Sequence, residues 1–350
     1  MKHLFQYSTL FLLSLLALSC NLQSQSGQED KVVGETHSPV DPFFQGHEQA
    51  SPSNGPNSIT RNIRQDRHGD IWFASYEGIM RFDGKTFTNI TTQQGFEQYR
   101  VFAVFEDSKG IVWLGTLGGG VYRFDRKAAE NGGSGFTILT TEDGLVSDVV
   151  SCFCETEDGK LWIGTQHGLS CYDGKTFRNY TMADGLPDED VNAIAQTVDG
   201  DLWIGARGAA GVFDGSGFKY LHRAGGEAFY NTRTVIRDRD GNMWLGGNSG
   251  LWRHDGANFQ QYDKNFVGNL YQDGEGDLWL SRSWPNDLYQ MSLYRIDGSA
   301  LASPSAEAEL VANPPGQVFG MIKDAAGNIW FGTERGAYRF DGEEFENFHE

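Results

Sequence analysis

Residues Glu157 to Thr181 read EDGKLWIGTQHGLSCYDGKTFRNYT. A tight turn at Asp158-Gly159 leads into a strand centred on Trp162. A short strand then ends at Asp173-Gly174, and another runs from Phe177 to Tyr180. The same order returns as VDGDLWIGARGAAGVFDGSGFKYL (Val198 to Leu221) and as AAGNIWFGTERGAYRFDGEEFENF (Ala325 to Phe348). Seven copies in all are anchored by Trp72, Trp113, Trp162, Trp203, Trp244, Trp279 and Trp330. Three of the six spacings between these tryptophans are 41 residues, and the others are 49, 35 and 51.

A period near 40 with several short strands per copy is the pattern of a β-propeller. The sequence therefore predicts an all-β fold, a single seven-bladed β-propeller with four-stranded antiparallel blades. In the fourth copy the strands are Val191 to Thr197, Leu202 to Ala206, Gly211 to Asp214 and Gly217 to Leu221. Asp83-Gly84, Asp173-Gly174 and Asp255-Gly256 suit the positive φ angles of a type I′ hairpin between strands three and four. Apolar residues do not alternate in LWIG, which fits strands buried on both faces between blades. The Trp supplies bulk, and the Gly two residues later leaves room for a neighbour. The last copy runs through its own fourth strand to Phe348, so no N-terminal strand is required to complete a blade; the segment around Phe43 and Phe44 remains a candidate cap.

The N-terminus carries a second signal. Lys2 precedes an apolar run to Leu18, too short and too promptly followed by polar residues for a spanning helix, so residues 1–19 read as a secretory signal. Ala17-Leu18-Ser19-Cys20 resembles the lipobox of bacterial lipoproteins, although that family usually has Leu three residues before the Cys. The resemblance implies cleavage before Cys20 and diacylation of its thiol; the alternative is an ordinary signal peptide. Asn21 favours an outer-membrane destination, so a lipid-anchored protein of the bacterial cell envelope is expected, on the periplasmic side or the surface. Residues 20–55, rich in Ser, Gln, Gly, Pro and acids, read as a lipidated flexible tether, with a reach of roughly 30 Å. Residues 56–350 form the propeller.

The formal net charge of −19 disfavours nucleic acid and anionic membrane surfaces; membrane contact is expected through the lipid anchor only. Cys152, Cys154 and Cys171 are expected to be small buried hydrophobes. Asp238 to Asn242 (DRDGN) resembles the start of a calcium loop but has Met243 at its sixth position and Ser249 at its twelfth. No metal and no cofactor are expected.

The repeats, with Asp or Glu, Gly, LWIGT, GL, YDG, YT and then the DGL loops Asp143-Gly144-Leu145 and Asp184-Gly185-Leu186, resemble the two-component regulator propeller repeat. The resemblance covers residues 58–350. It implies kinship with the extracellular parts of carbohydrate sensors in hybrid two-component systems of Bacteroidota. Those proteins usually add a second propeller, a connector, a membrane helix and a kinase. This chain is expected to be a stand-alone propeller lipoprotein without phosphotransfer of its own.

By architectural analogy, first strands line the channel, and their starts share one face with the loops joining strands two and three. Those starts present Ile59, Arg61, Arg100, Phe102, Asp190, Asn192, Tyr230, Asn231, Arg233, Phe266, Gln317 and Phe319. The loops add Tyr76, Glu77, His167, Arg207, Asn248, Arg282, Glu334 and Arg335. Arg61, Arg100, Arg207, Arg233, Arg282 and Arg335 are expected to ring one mouth and attract an anion, since Arg suits bidentate contact with carboxylate or sulfate; pairing with rim acids such as Glu77 and Asp190 is the alternative. Blade six carries seven extra residues within Ser281 to Met291, read as a loop in which Trp284 and Tyr289 stack on a ligand or dock a partner. The insertion at Arg126 to Gly135 reads as a passive loop on the opposite face.

The expected occupant is a carbohydrate-derived or other anionic ligand, or a partner protein of a surface sensing or uptake system. A polysaccharide lyase acting on uronic acids is the alternative. It needs a base and a cation, for which His167, Tyr76 or Tyr230, and Arg207 are candidates. No paired histidines or dense acid cluster mark a catalytic site, so no catalytic residue is assigned. A purely structural scaffold is the third reading.

Overall fold

A computed structural model describes residues 55–94, 99–223, 225–284, 287–303 and 305–348. Cys20, Phe43 and Phe44 lie outside the described residues, as does the side chain of Tyr289. The described chain forms seven four-stranded antiparallel sheets, each built from four consecutive strands. The first begins at Thr60 and the last ends at Asn347. Each first strand touches the first strands of both neighbouring blades, so the seven first strands surround a central channel. The fold is a seven-bladed β-propeller.

All seven repeat tryptophans sit second in second strands, and their exposures range from 0% (Trp244) to 6% (Trp162 and Trp279). Each fills the gap to the next blade, as Trp72 does against Phe124 at 5.5 Å. The Gly two residues on is required by the neighbour: a Cβ at Gly115 would stand 2.7 Å from Val150 of blade three.

In five blades an Asp six residues before the Trp fixes the indole. Asp66 Oδ1 accepts from the backbone N–H groups of His68 and Asp70, and its Oδ2 accepts from Trp72 Nε1 at 2.8 Å. Asp107, Asp238, Asp273 and Asp324 hold Trp113, Trp244, Trp279 and Trp330 in the same way. One carboxylate thus closes the hairpin between strands one and two and satisfies a buried indole N–H. Blades three and four have Thr156 and Thr197 at this place.

The hairpins between strands three and four differ from expectation. Asp83 N–H donates to Thr86 O, which leaves Gly84 and Lys85 as the two central residues. Gly84 has φ +90°, whereas among the described non-glycine residues only Asn231 has positive φ. Type I′ needs positive φ at both centres; positive φ at the first alone is the type II′ signature. The Asp83 carboxylate accepts from Lys85 and Thr86 N–H and so holds the turn with Lys in an ordinary conformation.

Two insertions also depart from their expected form. Residues Arg126–Glu130 form a short helix capped by Asp125, and Arg126 reaches blade one, pairing with Asp66 at 2.9 Å and Asp70 at 2.6 Å. In blade six the extra residues lengthen strands two and three to Leu278–Trp284 and Asp287–Ile296, which pair out to Trp284 and Asp287. A β-hairpin thus replaces the expected loop.

The ring closes without mixing strands from the two ends. Gly55 N–H donates to Phe348 O, and Ala337 N–H donates to Pro56 O. Asn57 N–H donates to Glu77. This short strap crosses from the outer strands of blade seven onto blade one. Beneath it Phe348 stacks on Trp330 at 5.0 Å, and Phe73, Met80 and Phe87 of blade one share a core with Ile322, Trp330 and Ala337 of blade seven.

Candidate functional site: the channel mouth

In six blades the first strand carries a β-bulge near its start, where one residue is skipped in the ladder to the second strand. The skipped residues are Arg61, Phe102, Ser151, Asn192, Arg233 and Gly268. In blade seven Phe319 precedes the first ladder pair, and its N–H donates to Gly332 O. A bulge re-aims one side chain. All seven of these residues line a cavity of about 650 Å³ in the channel. The preceding residue of each strand, such as Val191 or Val267, is fully buried between blades. Each blade thus contributes one residue to an inward ring.

The ring is asymmetric. On one side the Arg61 guanidinium lies between rings from both adjacent blades, 4.2 Å from the Phe319 centroid and 5.1 Å from that of Phe102. Its Nε is buried and makes no hydrogen bond. On the other side Arg233 stands between Asn192 and Gly268. Burial, then the nearby Arg61 and Arg207, push the Arg233 guanidinium below its usual pKa. Among the described residues no carboxylate lies within ion-pair distance of Arg61 or Arg233. Arg207 also lines the cavity and pairs through Nε with Asp190 at 2.7 Å. Tyr230 at the mouth is 57% exposed. It precedes Asn231, whose φ of +44° is held by a hydrogen bond from its Nδ2 to Asn248 Oδ1 at 2.9 Å. A residue other than Gly at positive φ beside a cavity is often a functional placement.

Of the expected arginine ring, Arg61, Arg207 and Arg233 come together in the cavity, and Arg100, Arg282 and Arg335 do not line it. Arg100 packs over Tyr76 at 4.8 Å. Arg282 is tied to Asp263 at 2.7 Å and lies 3.7 Å from the Tyr294 centroid. Arg335 is 4.0 Å from Glu334. Arg100 precedes the first strand of blade two, Arg282 lies within the second strand of blade six, and Arg335 sits in the turn after the second strand of blade seven. Trp284 is also outside the cavity: it is exposed, and its Nε1 donates to Ser292 Oγ at 2.7 Å. The blade-six hairpin instead brings Met291 to the channel wall. His167 Nδ1 lies 3.2 Å from Ser147 Oγ and faces the rim. Of the residues considered for a lyase, Arg207 and Tyr230 line the cavity, and Tyr76 and His167 do not. Sequence reading missed Asn62, Ser151, Gly268, Asn269 and Met291. The repeat register was the available signal for Ser151 and Gly268, since they align with Arg61 and Arg233.

Seven blades thus ring a channel whose cavity bears Arg61, Arg207 and Arg233. Residues 95–118, 144–167, 185–208 and 314–335 match the family model described as two component regulator propeller. A search of curated proteins found no match. Among solved structures, the extracellular domain of a hybrid two-component system from B. thetaiotaomicron is similar at 21% identity and TM-score 0.69, over 85% of this chain and 40% of that one. The chain thus spans well under half the length of that sensor structure. Virginiamycin B lyase from Staphylococcus aureus matches at 15% identity and TM-score 0.60, over 81% of this chain and 95% of that one. PorZ, a surface component of the type-IX secretion system of Porphyromonas gingivalis, matches at 16% identity and TM-score 0.56, over 83% and 47%. At these identities the likeness is one of fold. No helix among the described residues is long and apolar enough to cross a membrane.

Proposed function

We propose that this propeller is an exported, lipid-anchored binding protein whose channel mouth takes a small anionic ligand, carbohydrate-derived in the first instance. One observation carries the reading: Arg61 and Arg233 project into one cavity without a carboxylate partner, in a chain of net charge −19. An unpaired guanidinium in a partly desolvated site favours an anion with two coplanar oxygens. Phe102, Phe319 and Tyr230 offer flat apolar surface beside it, which suits the C–H face of a sugar. A cavity of about 650 Å³ falls within the ~300–1,000 Å³ of small-molecule sites. The sensor-type repeats support binding over catalysis.

The test is calorimetric titration of the purified protein with acidic oligosaccharides, their neutral counterparts and inorganic sulfate. Binding is expected for acidic members, with loss of at least tenfold in affinity in Arg233→Gln and a weaker salt dependence. Equal binding of neutral and acidic members, or an unchanged affinity in the variant, refutes the channel as an anion site. Capture of a partner protein that persists in Arg233→Gln would move function to another surface.

A further inference from the structure

We infer that the ligand of this channel is a dianion whose two charges are set apart, one meeting Arg61 and the other Arg233 across the lumen. The inference rests on the channel being the anion site and concerns how many charges that site is built to meet. Most other arginines at this mouth have a named acid: Arg207 has Asp190, Arg282 has Asp263 and Arg335 has Glu334. Arg100 packs over Tyr76 and does not line the cavity; the two cations that remain inside it, Arg61 and Arg233, belong to blades one and five. Four blade steps separate them one way and three the other, so they face each other across the ring rather than side by side. Like charges held in one partly desolvated cavity repel each other, and salt screens buried charges less than exposed ones. A monoanion on either arginine leaves the other uncompensated. A ligand with separated charges removes both costs at once.

The two arginines are held differently, which gives the ligand a direction. Phe319 and Phe102 flank Arg61 and restrict its swing, so the first acid group must come to it. Arg233 has Asn192 on one side and Gly268 on the other, and the Met291 side chain covers that glycine, 2.9 Å from where a Cβ would stand. Asn192 cannot itself move freely, because its Nδ2 donates to Thr232 O at 3.1 Å. The second group therefore meets the donor fork of Arg233 between a fixed Asn192 and Met291.

A matched pair of probes reads this directly: glucarate, with a carboxylate at each end, and glucuronate, with one. Affinities of the purified protein for both, and for sulfate as a compact dianion, are measured at two salt concentrations. Glucarate is expected to bind at least tenfold more tightly than either of the others, with about twice the salt slope of glucuronate. In Arg61→Gln and in Arg233→Gln the preference for glucarate over glucuronate is expected to fall to less than threefold. Arg61→Lys and Arg233→Lys, which keep the charge, should retain most of it, and intrinsic tryptophan fluorescence checks that each variant is folded. Glucuronate binding as tightly as glucarate, sulfate outcompeting both, or a preference that survives either Gln variant overturns the dianion inference while leaving an anion site in place. If none of the three anions binds, the anion reading and this inference fall together.

Discussion

At the scale of single residues, the pairing of Asp with the repeat tryptophan ties fold to pH. Asp273 accepts from Trp279 Nε1 and from Lys323 Nζ of the next blade. Burial pushes its carboxyl up, but these donors hold it below its usual range overall; Asp324 behaves alike, with Asn328 and Trp330 as its donors. A carboxyl whose folded pKa lies below its unfolded value of about 3.9 adds stability above that value and loses it as pH falls through the folded pKa. The protein is therefore expected to lose stability below about pH 4, and Asp273→Asn should flatten that loss; an identical acid profile in the variant would count against the assignment. Blades three and four, with Thr156 and Thr197, lack the pairing. Thr197→Asp should add about 0.5–1.5 kcal/mol by giving Trp203 an acceptor, read as a shift in denaturation midpoint; a fall in the midpoint refutes it. Cys171 is buried, whereas Cys152 and Cys154 are half-buried rather than fully buried as expected, and desolvation raises all three thiols. Cys152 is pushed up to about 12 and Cys154 to about 11, so their thiolates are scarce at pH 8. Iodoacetamide should label them, and Cys171, only after denaturation, as peptide mapping would show.

At the scale of elements, the helix of blade two is a cross-blade fastener. Arg126 meets Asp66, whose side chain is 2% exposed, so Arg126→Ala takes the paired cation from a buried carboxylate that keeps its three N–H donors. A loss of about 1.5–3 kcal/mol is expected, and a denaturation midpoint equal to wild type would return this segment to the status of a passive loop. The sequence carried the strands well, because Trp, Gly and Asp-Gly recur at fixed places and each has one physical job. It carried the Asp six before the Trp equally plainly at Asp66, Asp107, Asp238, Asp273 and Asp324, as a repeat position rather than as a motif. The bulges were not legible. Arg61 reaches the channel beside Asn62 because one ladder pairing is skipped, and no residue type marks that skip, which falls on Arg, Phe, Ser, Asn and Gly alike. For the same reason the arginine ring was half right: Arg233 is aimed by a bulge, whereas Arg282 sits on a ladder pair and finds Asp263 first. The blade-six insertion was visible as length, but length alone does not distinguish a loop from a longer hairpin.

At the scale of the molecule, the lipobox-like Cys20 and the ring make separable claims. Cys20→Ser is expected to move the protein from the membrane fraction to the soluble one, since two acyl chains suffice for stable attachment and none remains; equal incorporation of an alkyne fatty acid in both forms would rule out this residue as the anchor. The ring itself has one seam unlike the others, between blades seven and one, where continuity of the chain is replaced by the strap at Gly55, Pro56 and Asn57. Gly55 is packed so closely that a Cβ would lie 2.5 Å from that of Phe348. The residues leading into the ring are therefore fastened to its last blade before they become its first. A pull on the N-terminal side of the chain arrives at this seam, so the hydrogen bonds of Gly55 and Pro56 are the first in the ring to bear it. Where the chain is hung from its N-terminus, the point of suspension of the ring and the latch between its last and first blades are the same three residues.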